Sequence, residues 1–387
     1  MIRILHTSDW HLGRAFHFYS LEQDQRHALS QILKELEQNY QAMVISGDIY
    51  DRAVPSVEAV QLFGDLLMQA RALNLTCVII PGNHDSAERL GFASAILARA
   101  GIHLRCDYTK LREPVTIKGT AGEQLDVFAL PFVEPFLVRQ QLGDDSITSV
   151  QLATQKAVER IREGRRQSIA AILLAHAFVG EKSQTSESER LLVGGTDRVP
   201  SGIFSGFDYV ALGHLHRPQR VDSDWIRYSG SLLPYSFSED GQQKQMIRIE
   251  IGNGPKPLIT AIPIAPLRGI SVIEDSFEAV LTDEKYEAQR ADFVSVRLTD
   301  SDYHVETFYR IKQRFPLLCE LRQTALEARP SDRADASRDI ENQSPEEIIE
   351  LFLDYFGWTD PSERKSAKEL LIKGYRKAES QKRRDDR

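Results

Sequence analysis

Short apolar runs alternate with longer amphipathic stretches from residue 1 to about 265, the pattern of an α/β domain in which strands and helices take turns. The runs IRIL (2–5), AMVIS (42–46), CVII (77–80), VFAL (127–130), AAILLA (170–175) and YVALG (209–213) are predicted strands. Helical periodicity fills 21–38 and 56–73, and a third helix is predicted over 87–99 with Ser86 as its cap. Successive strands at the start of the chain are one βα unit apart, which needs at least roughly 30 residues. IRYSG (226–230) and MIRIEI (246–251) read as shorter, antiparallel strands, and SQTSESER (183–190) as a polar, mobile loop.

A second module follows over 266–327: strand GISVIE (269–274), helix SFEAVL, strand FVSVRL (293–298), helix VETFYRIKQRF (305–315) and strand LLCELR (317–322). It is a small α+β unit. Residues 328–343 are polar and poor in large apolar side chains, the composition of a flexible linker. Two helix starts come next in 344–387. Ser344-Pro345 with Glu347 is a capping box with proline at the first helical position, and Asp360-Pro361 with Glu363 repeats it. Ile348, Leu351, Phe352, Tyr355 and Phe356 form one apolar stripe, and Ala367, Leu370, Leu371 and Tyr375 the other. Residues 341–363 carry seven acids and no base, whereas 364–387 carry ten bases and four acids.

The 387 residues are 42% hydrophobic and 27% charged, which excludes a wholly disordered chain, a fibre or a small disulfide scaffold. A net charge of −8 excludes a uniformly basic nucleic-acid coat, so any phosphate contact must come from local patches, bound metal or a partner. Cys77, Cys106 and Cys319 form no paired thiolate motif, which argues against a cysteine zinc site. Nothing approaches the roughly 18 apolar residues of a membrane span, and the N-terminus lacks the pattern of a signal peptide. A soluble, cytoplasmic protein is expected.

Five polar motifs punctuate the apolar runs: Asp9-Trp10-His11, Gly47-Asp48, Gly82-Asn83-His84-Asp85, His176 and Gly213-His214-Leu215-His216. Each falls just after a predicted strand, where open α/β sheets place their ligand sites. Asp9 and His11 alternate, as do His214 and His216, so each pair points one way from an extended backbone. Two divalent cations about 4 Å apart can clamp the attacking and leaving oxygens of a phosphoryl displacement, and a bridging carboxylate holds such a pair together. Asp48 is the candidate bridge. Imidazole-rich ligation favours Mn²⁺, Fe²⁺ or Zn²⁺ over Mg²⁺.

In this order the motifs resemble the D-x-H, G-D, G-N-H-D/E, H and G-H-x-H series of the calcineurin-like metallophosphoesterase superfamily. Within it, HTSDWHLG, GNHDS, ALGHLHRPQ and YSGSLLPYSF resemble the double-strand-break repair nucleases, most strongly over residues 1–240. The resemblance implies a sheet sandwich flanked by helices (1–265), a small capping domain (266–327), the linker (328–343) and a helical partner-binding tail (344–387). It implies Asp9, His11, Asp48 and His216 on one metal, and Asp48, Asn83, His176 and His214 on the other, with Mn²⁺ as the ion. His84 would stay unligated and face the scissile phosphate, as transition-state stabiliser or acid, with Asp85 orienting its ring. The implied activity is a 3′→5′ exonuclease on duplex DNA ends and an endonuclease on single strands and hairpins, in DNA recombination, replication and repair. The implied partners are an SbcC-like ATPase, held by Phe352, Phe356, Leu371 and Tyr375, and a second copy of the chain, met through 56–73 and 87–99.

Two other readings compete. One is a small-molecule phosphodiesterase or phosphoprotein phosphatase on the same fold, against which stand Asp85, where those phosphatases usually carry glutamate, and the C-terminal modules. The other is a scaffold without metals, against which stand the seven intact ligand positions. His6 reads as a packed strand residue, and His17, His27, His103 and His304 as surface or packing residues. Trp10 is either a cover for the site or a buried anchor. Arg14, Arg52, Arg89 and Arg217 follow the motifs closely enough to meet phosphates.

Overall fold

The computed structural model describes residues 1–189, 197–252, 256–300 and 305–323, with 349, 364, 365, 367, 368 and 370–373 in the C-terminal region. The chain divides into two compact units, Met1–Arg297 with Tyr303–Arg322, and Leu298–Asp302 with Gln323–Arg387.

The first unit is built on two six-stranded sheets. One has the order 258–263, 245–251, 2–7, 42–46, 76–80, 102–104, and the last four strands run parallel. The other has the order 219–221, 223–228, 209–213, 170–176, 124–130, 115–118, and its four central strands run parallel. Alternate side chains decide the layers. Ile2, Ile4, Val44, Val78 and Ile80 meet Val127, Ile172, Leu174 and Ala211 between the sheets. Leu5, Met43, Ile45, Cys77 and Ile79 point the other way, into the helices Glu22–Leu36 and Val57–Ala72. Burial on both faces is why these strands read as unbroken apolar runs.

Strands Ala42–Ser46 and Tyr209–Gly213 occupy the spans expected for them. Three expectations need correction. The single helix over 87–99 is two short ones, Ala87–Leu90 and Ser94–Arg99, because Gly91 closes the first and Ala93 turns left-handed (φ 58°) before the second. Ser86 does cap the first, its Oγ accepting from Arg89 N at 3.3 Å. The strand near 226–230 is Ser223–Tyr228 and runs parallel to Tyr209–Gly213, since the chain doubles back through Gln219–Val221 and reverses at Asp222 (φ 53°). Gln245–Ile251 is antiparallel as expected, but at seven residues it is not short.

The first unit also holds, up to Arg297 and Arg322, a three-stranded sheet in the order 270–275, 293–298, 318–323. It carries helices Phe277–Thr282, capped by Ser276, and Val305–Arg314. This module packs on the hairpin Ala15–Ser20: Phe16 lies 5.2 Å from Phe293, and Tyr19 OH donates to Pro316 O at 3.1 Å. Arg268 Nε donates to the buried Asp24 carboxylate at 3.0 Å.

In the second unit, Ile349 and residues 364, 365, 367, 368 and 370–373 are helical, with Leu370 71% exposed and Leu371 half-buried. The expected linker at 328–343 and both helix starts lie outside the described residues, as do Phe352, Phe356 and Tyr375. No helix among the described residues is long and apolar enough to cross a membrane.

Candidate metal centre

The parallel strands of both sheets point their C-terminal ends at one place. Backbone there is unusual: Asp9 (φ 52°), His11 (φ 45°), Asp48 (φ 51°) and His214 (φ 110°) are all left-handed without being glycine. Such residues cost of order 1–3 kcal/mol each and persist only where surrounding structure over-determines them. Here the loops lock one another. Asp9 N, His11 N and Leu12 N donate to Gly47 O, Asp48 O and Ile49 O at 3.0, 3.0 and 2.9 Å. Gly47 and Gly82 permit the approach, because a Cβ on Gly47 would lie 2.2 Å from His176 Nδ1 and one on Gly82 2.1 Å from Asp48 Oδ1.

The seven expected ligands converge in two clusters that share Asp48. His11 Nε2 lies 3.0 Å from His216 Nε2 and 3.6 Å from Asp48 Oδ2, and Asp9, His11 and His216 present donor atoms within 4.8 Å of one another. On the other side, Asn83 Oδ1 is 3.0 Å from both His176 Nε2 and His214 Nδ1, and His176 Nε2 is 3.5 Å from the same Asp48 Oδ2. Asp9, His11, Asp48, His176, His214 and His216 are all buried.

Electrostatics makes this a set of lone-pair donors. Burial pushes His176 and His214 down to about 3, and holds His11 and His216 well below the usual imidazole range. Burial, with the Asp48 carboxylate alongside, raises Asp9 well above the usual carboxylate range, and burial raises Asp48 as well. His176 Nδ1 donates to Ser46 O at 2.8 Å, which leaves Nε2 bare toward the centre. His11 Nδ1 has no hydrogen-bond partner among the described residues. Neutral imidazoles, two carboxylates and an amide oxygen fit a pair of borderline divalent cations.

His84 sits beside this set, its ring centroid 4.6 Å from that of His11. Its Nδ1 donates to Asp51 O at 2.8 Å, so the opposite ring nitrogen is the one without a backbone partner. Asp85 does not orient that ring. Its carboxylate accepts from Ile49 N, Tyr50 N and Gly82 N at 3.0, 2.9 and 2.9 Å, stapling the Asp48 loop to the Asn83 loop. That staple is made to three amides, and burial still raises Asp85 to about 7. Trp10 is a fully buried anchor, with Nε1 donating to Thr7 Oγ1 at 3.0 Å and the ring edge-on to Phe63. Arg14 is tied down between Ser188 O and the Asp51 carboxylate, whereas Arg52, Arg89 and Arg217 are exposed. A cleft of about 520 Å³ opens beside Asn83, with Tyr108, Phe132 and Leu137 on its walls and Glu88, Asp107 and Glu134 at its rim.

Sequence reasoning missed the segment 183–189. Far from being loose, it buries Ser186 and Ser188 against the centre, where Ser188 Oγ is 2.6 Å from His216 Nδ1. Glu239 and Lys244 join it as a buried ion pair at 2.6 Å. In the sequence they are two charges within the polar stretch SEDGQQK (238–244), and nothing there singles them out.

A family model described as calcineurin-like phosphoesterase matches residues 2–218. A second, SbcD_C, described as the Type 5 capsule protein repressor C-terminal domain, matches residues 266–355. Among solved structures, TT1561 of Thermus thermophilus is 12% identical with a TM-score of 0.40, over 67% of this chain and 98% of that one. Another is 9% identical with a TM-score of 0.36, over 68% and 99%.

If the clusters hold cations, adding Mn²⁺ to the metal-free chain should raise its thermal midpoint, by the equivalent of about 2.7 kcal/mol at a hundred times Kd. Replacing Asp48 with alanine removes the shared oxygen and should abolish most of that rise. Differential scanning calorimetry checks both, and an equal rise in the variant would refute the shared bridge.

Proposed function

The chain belongs to the calcineurin-like phosphoesterase family, and from that premise we propose that it is an SbcD-type DNA nuclease that hydrolyses phosphodiester bonds with two divalent ions, Mn²⁺ in the first place. The observation that carries the reading is the succession in one chain of a phosphoesterase match at 2–218 and an SbcD_C match at 266–355. We divide the chain accordingly into nuclease domain (1–265), capping domain (266–327), linker (328–343) and partner-binding tail (344–387).

The roles follow from chemistry. Asp9, His11, Asp48 and His216 would hold one ion, and Asp48, Asn83, His176 and His214 the other. When bound, the ions supply Lewis-acid polarisation of a phosphoryl oxygen and a clamp on the attacking and leaving oxygens. His84, its Nδ1 fixed on Asp51 O, turns its other nitrogen to a phosphate and can hold or deliver a proton there. Asp85 acts only by positioning the two loops. The proposed products are those of 3′→5′ exonuclease action on duplex ends and endonuclease action on single strands and hairpins. The work is shared with an SbcC-like ATPase in the cytoplasm, in DNA recombination, replication and repair.

Self-association is supported by one face of the helix Val57–Ala72, where Val57, Val60 and Met68 are exposed around the open Gly64. Nearby in sequence, Phe92 is 81% exposed and Ile96 71%.

Cleavage of labelled linear and hairpin DNA with Mn²⁺ tests the activity. The wild-type chain should cut, and His84→Ala should bind metal normally yet slow single-turnover cleavage about 10²–10³-fold. Cleavage of a nitrophenyl phosphodiester or a phosphopeptide with DNA left intact would favour the small-molecule or phosphatase reading. Met68→Glu should convert a dimer to a monomer in light scattering; an unchanged mass would exclude this face. Truncation after Asn342 should spare Mn²⁺-dependent cleavage of single strands while abolishing co-elution with the ATPase, with Phe352→Glu as the milder probe. Retained co-elution would make the tail structural.

A further inference from the structure

We infer that Ser188 fixes His216 as the Nδ1–H form of imidazole, leaving Nε2 bare toward the metal centre, and that Ser186–Glu189 is a clasp whose task is to position that ligand. The inference rests on the metal-binding reading above and adds to it residues that lie in none of the five motifs.

The proton count is forced by the partners. Glu239 is an acceptor: its Oε2 takes Lys244 Nζ at 2.6 Å, and its Oε1 takes Tyr235 N and Ser236 Oγ at 3.1 and 3.0 Å. Ser188 Oγ lies 2.7 Å from that same Oε1, so the one hydroxyl hydrogen goes to the carboxylate. The serine oxygen can then only accept from His216 Nδ1, at 2.6 Å. The proton therefore sits on Nδ1, and Nε2 keeps its lone pair, 3.0 Å from His11 Nε2. A lysine–carboxylate–serine–histidine chain thus ends at a ligand nitrogen.

The backbone of His216 is held by the same group. Its N–H donates to Glu189 Oε1 at 2.7 Å, and its carbonyl accepts from Lys244 Nζ at 2.9 Å. Glu189 also accepts from Ser186 N, which folds the clasp on itself. Arg14 extends the reach: it donates to Ser188 O at 3.2 Å and lies 3.6 Å from the Asp51 carboxylate, and Asp51 O accepts from the His84 ring. Ring tautomer, ligand backbone and the neighbouring histidine are set through one segment. Loss of such an outer partner typically weakens metal binding about 10–100-fold.

Two measurements on the full chain test this. Long-range ¹H–¹⁵N spectra of the metal-free, ¹⁵N-histidine-labelled wild type should give His216 as the Nδ1–H form, with assignment by His216→Gln. An Nε2–H ring would overturn the inference without any variant having to fold. Mn²⁺ titration calorimetry should show two sites in the wild type. Ser188→Ala should weaken one of them about 10–100-fold while the other stays within about threefold, and Ser188→Thr, which keeps the hydroxyl, should restore wild-type binding. Wild-type affinity at both sites in Ser188→Ala would overturn the positioning role. A wild-type chain that binds no Mn²⁺ would overturn the metal reading itself, a result the tautomer measurement keeps separate.

Discussion

Lone-pair donors crowded into a space closed to water repel one another, and the rest of this structure is arranged to hold them there. Burial raises the proton affinity of both Asp9 and Asp48, and the four buried imidazoles among the ligands are pressed toward neutrality. Two ring nitrogens facing each other at 3.0 Å have no attraction of their own unless a proton or a cation lies between them. The loops must therefore be rigid by other means. Left-handed backbone at four ligand positions, glycines where a Cβ would strike a ligand, and the three-amide staple on Asp85 all answer that single demand. Catalytic centres keep such strain only when the scaffold around them is stiff, and here two parallel sheet edges supply the stiffness.

That demand explains what could be read from the chain and what could not. Strand spans such as Ala42–Ser46 and Phe293–Leu298 are local properties, apolar runs bounded by polar residues, and were legible. Also legible was the place of the polar motifs at strand ends, with Asp9 and Asp48 two residues past one and His176 the last residue of another. Contacts that span the sequence were not. Ser188 meets His216 across 28 residues and Glu239 across 51, and no periodicity relates them. Asp85 was misread for a related reason. Adjacent to His84, it invites a pairing by neighbourhood, but its side chain turns to amides some 35 positions earlier. Strand Ser223–Tyr228 was misdirected because a short connection suggests a hairpin, whereas here the hairpin is consumed by Gln219–Val221.

The small sheet 270–275, 293–298, 318–323 gains meaning from where it rests. Its Phe293 packs on Phe16, and Phe16 on Phe237, two residues before Glu239. Phe16 follows the His11 loop, so the module braces both the loop that bears a ligand and the short helix that begins the Ser188 relay. Buried aromatic contacts of this kind transmit displacement because close-packed side chains do not deform continuously.

Charge sets the order of events on the nuclease reading. A chain of net charge −8 with Glu88, Asp107 and Glu134 at the rim of its cleft repels a polyanion. Arg14, whose charge reaches His11, His216 and Asp48, is already engaged with Ser188 O and the Asp51 carboxylate. Attraction at the centre must come from the ions themselves, about four positive charges in a small volume. The field of those charges is local, screened within roughly 10 Å at ordinary salt, and cannot gather a duplex from solution. On that reading, capture would fall to exposed Arg52, Arg89 and Arg217, to the ten bases that the sequence carries from 364 to 387, and to a partner. Separating capture from cutting in this way would confine chemistry to phosphates that something else has delivered.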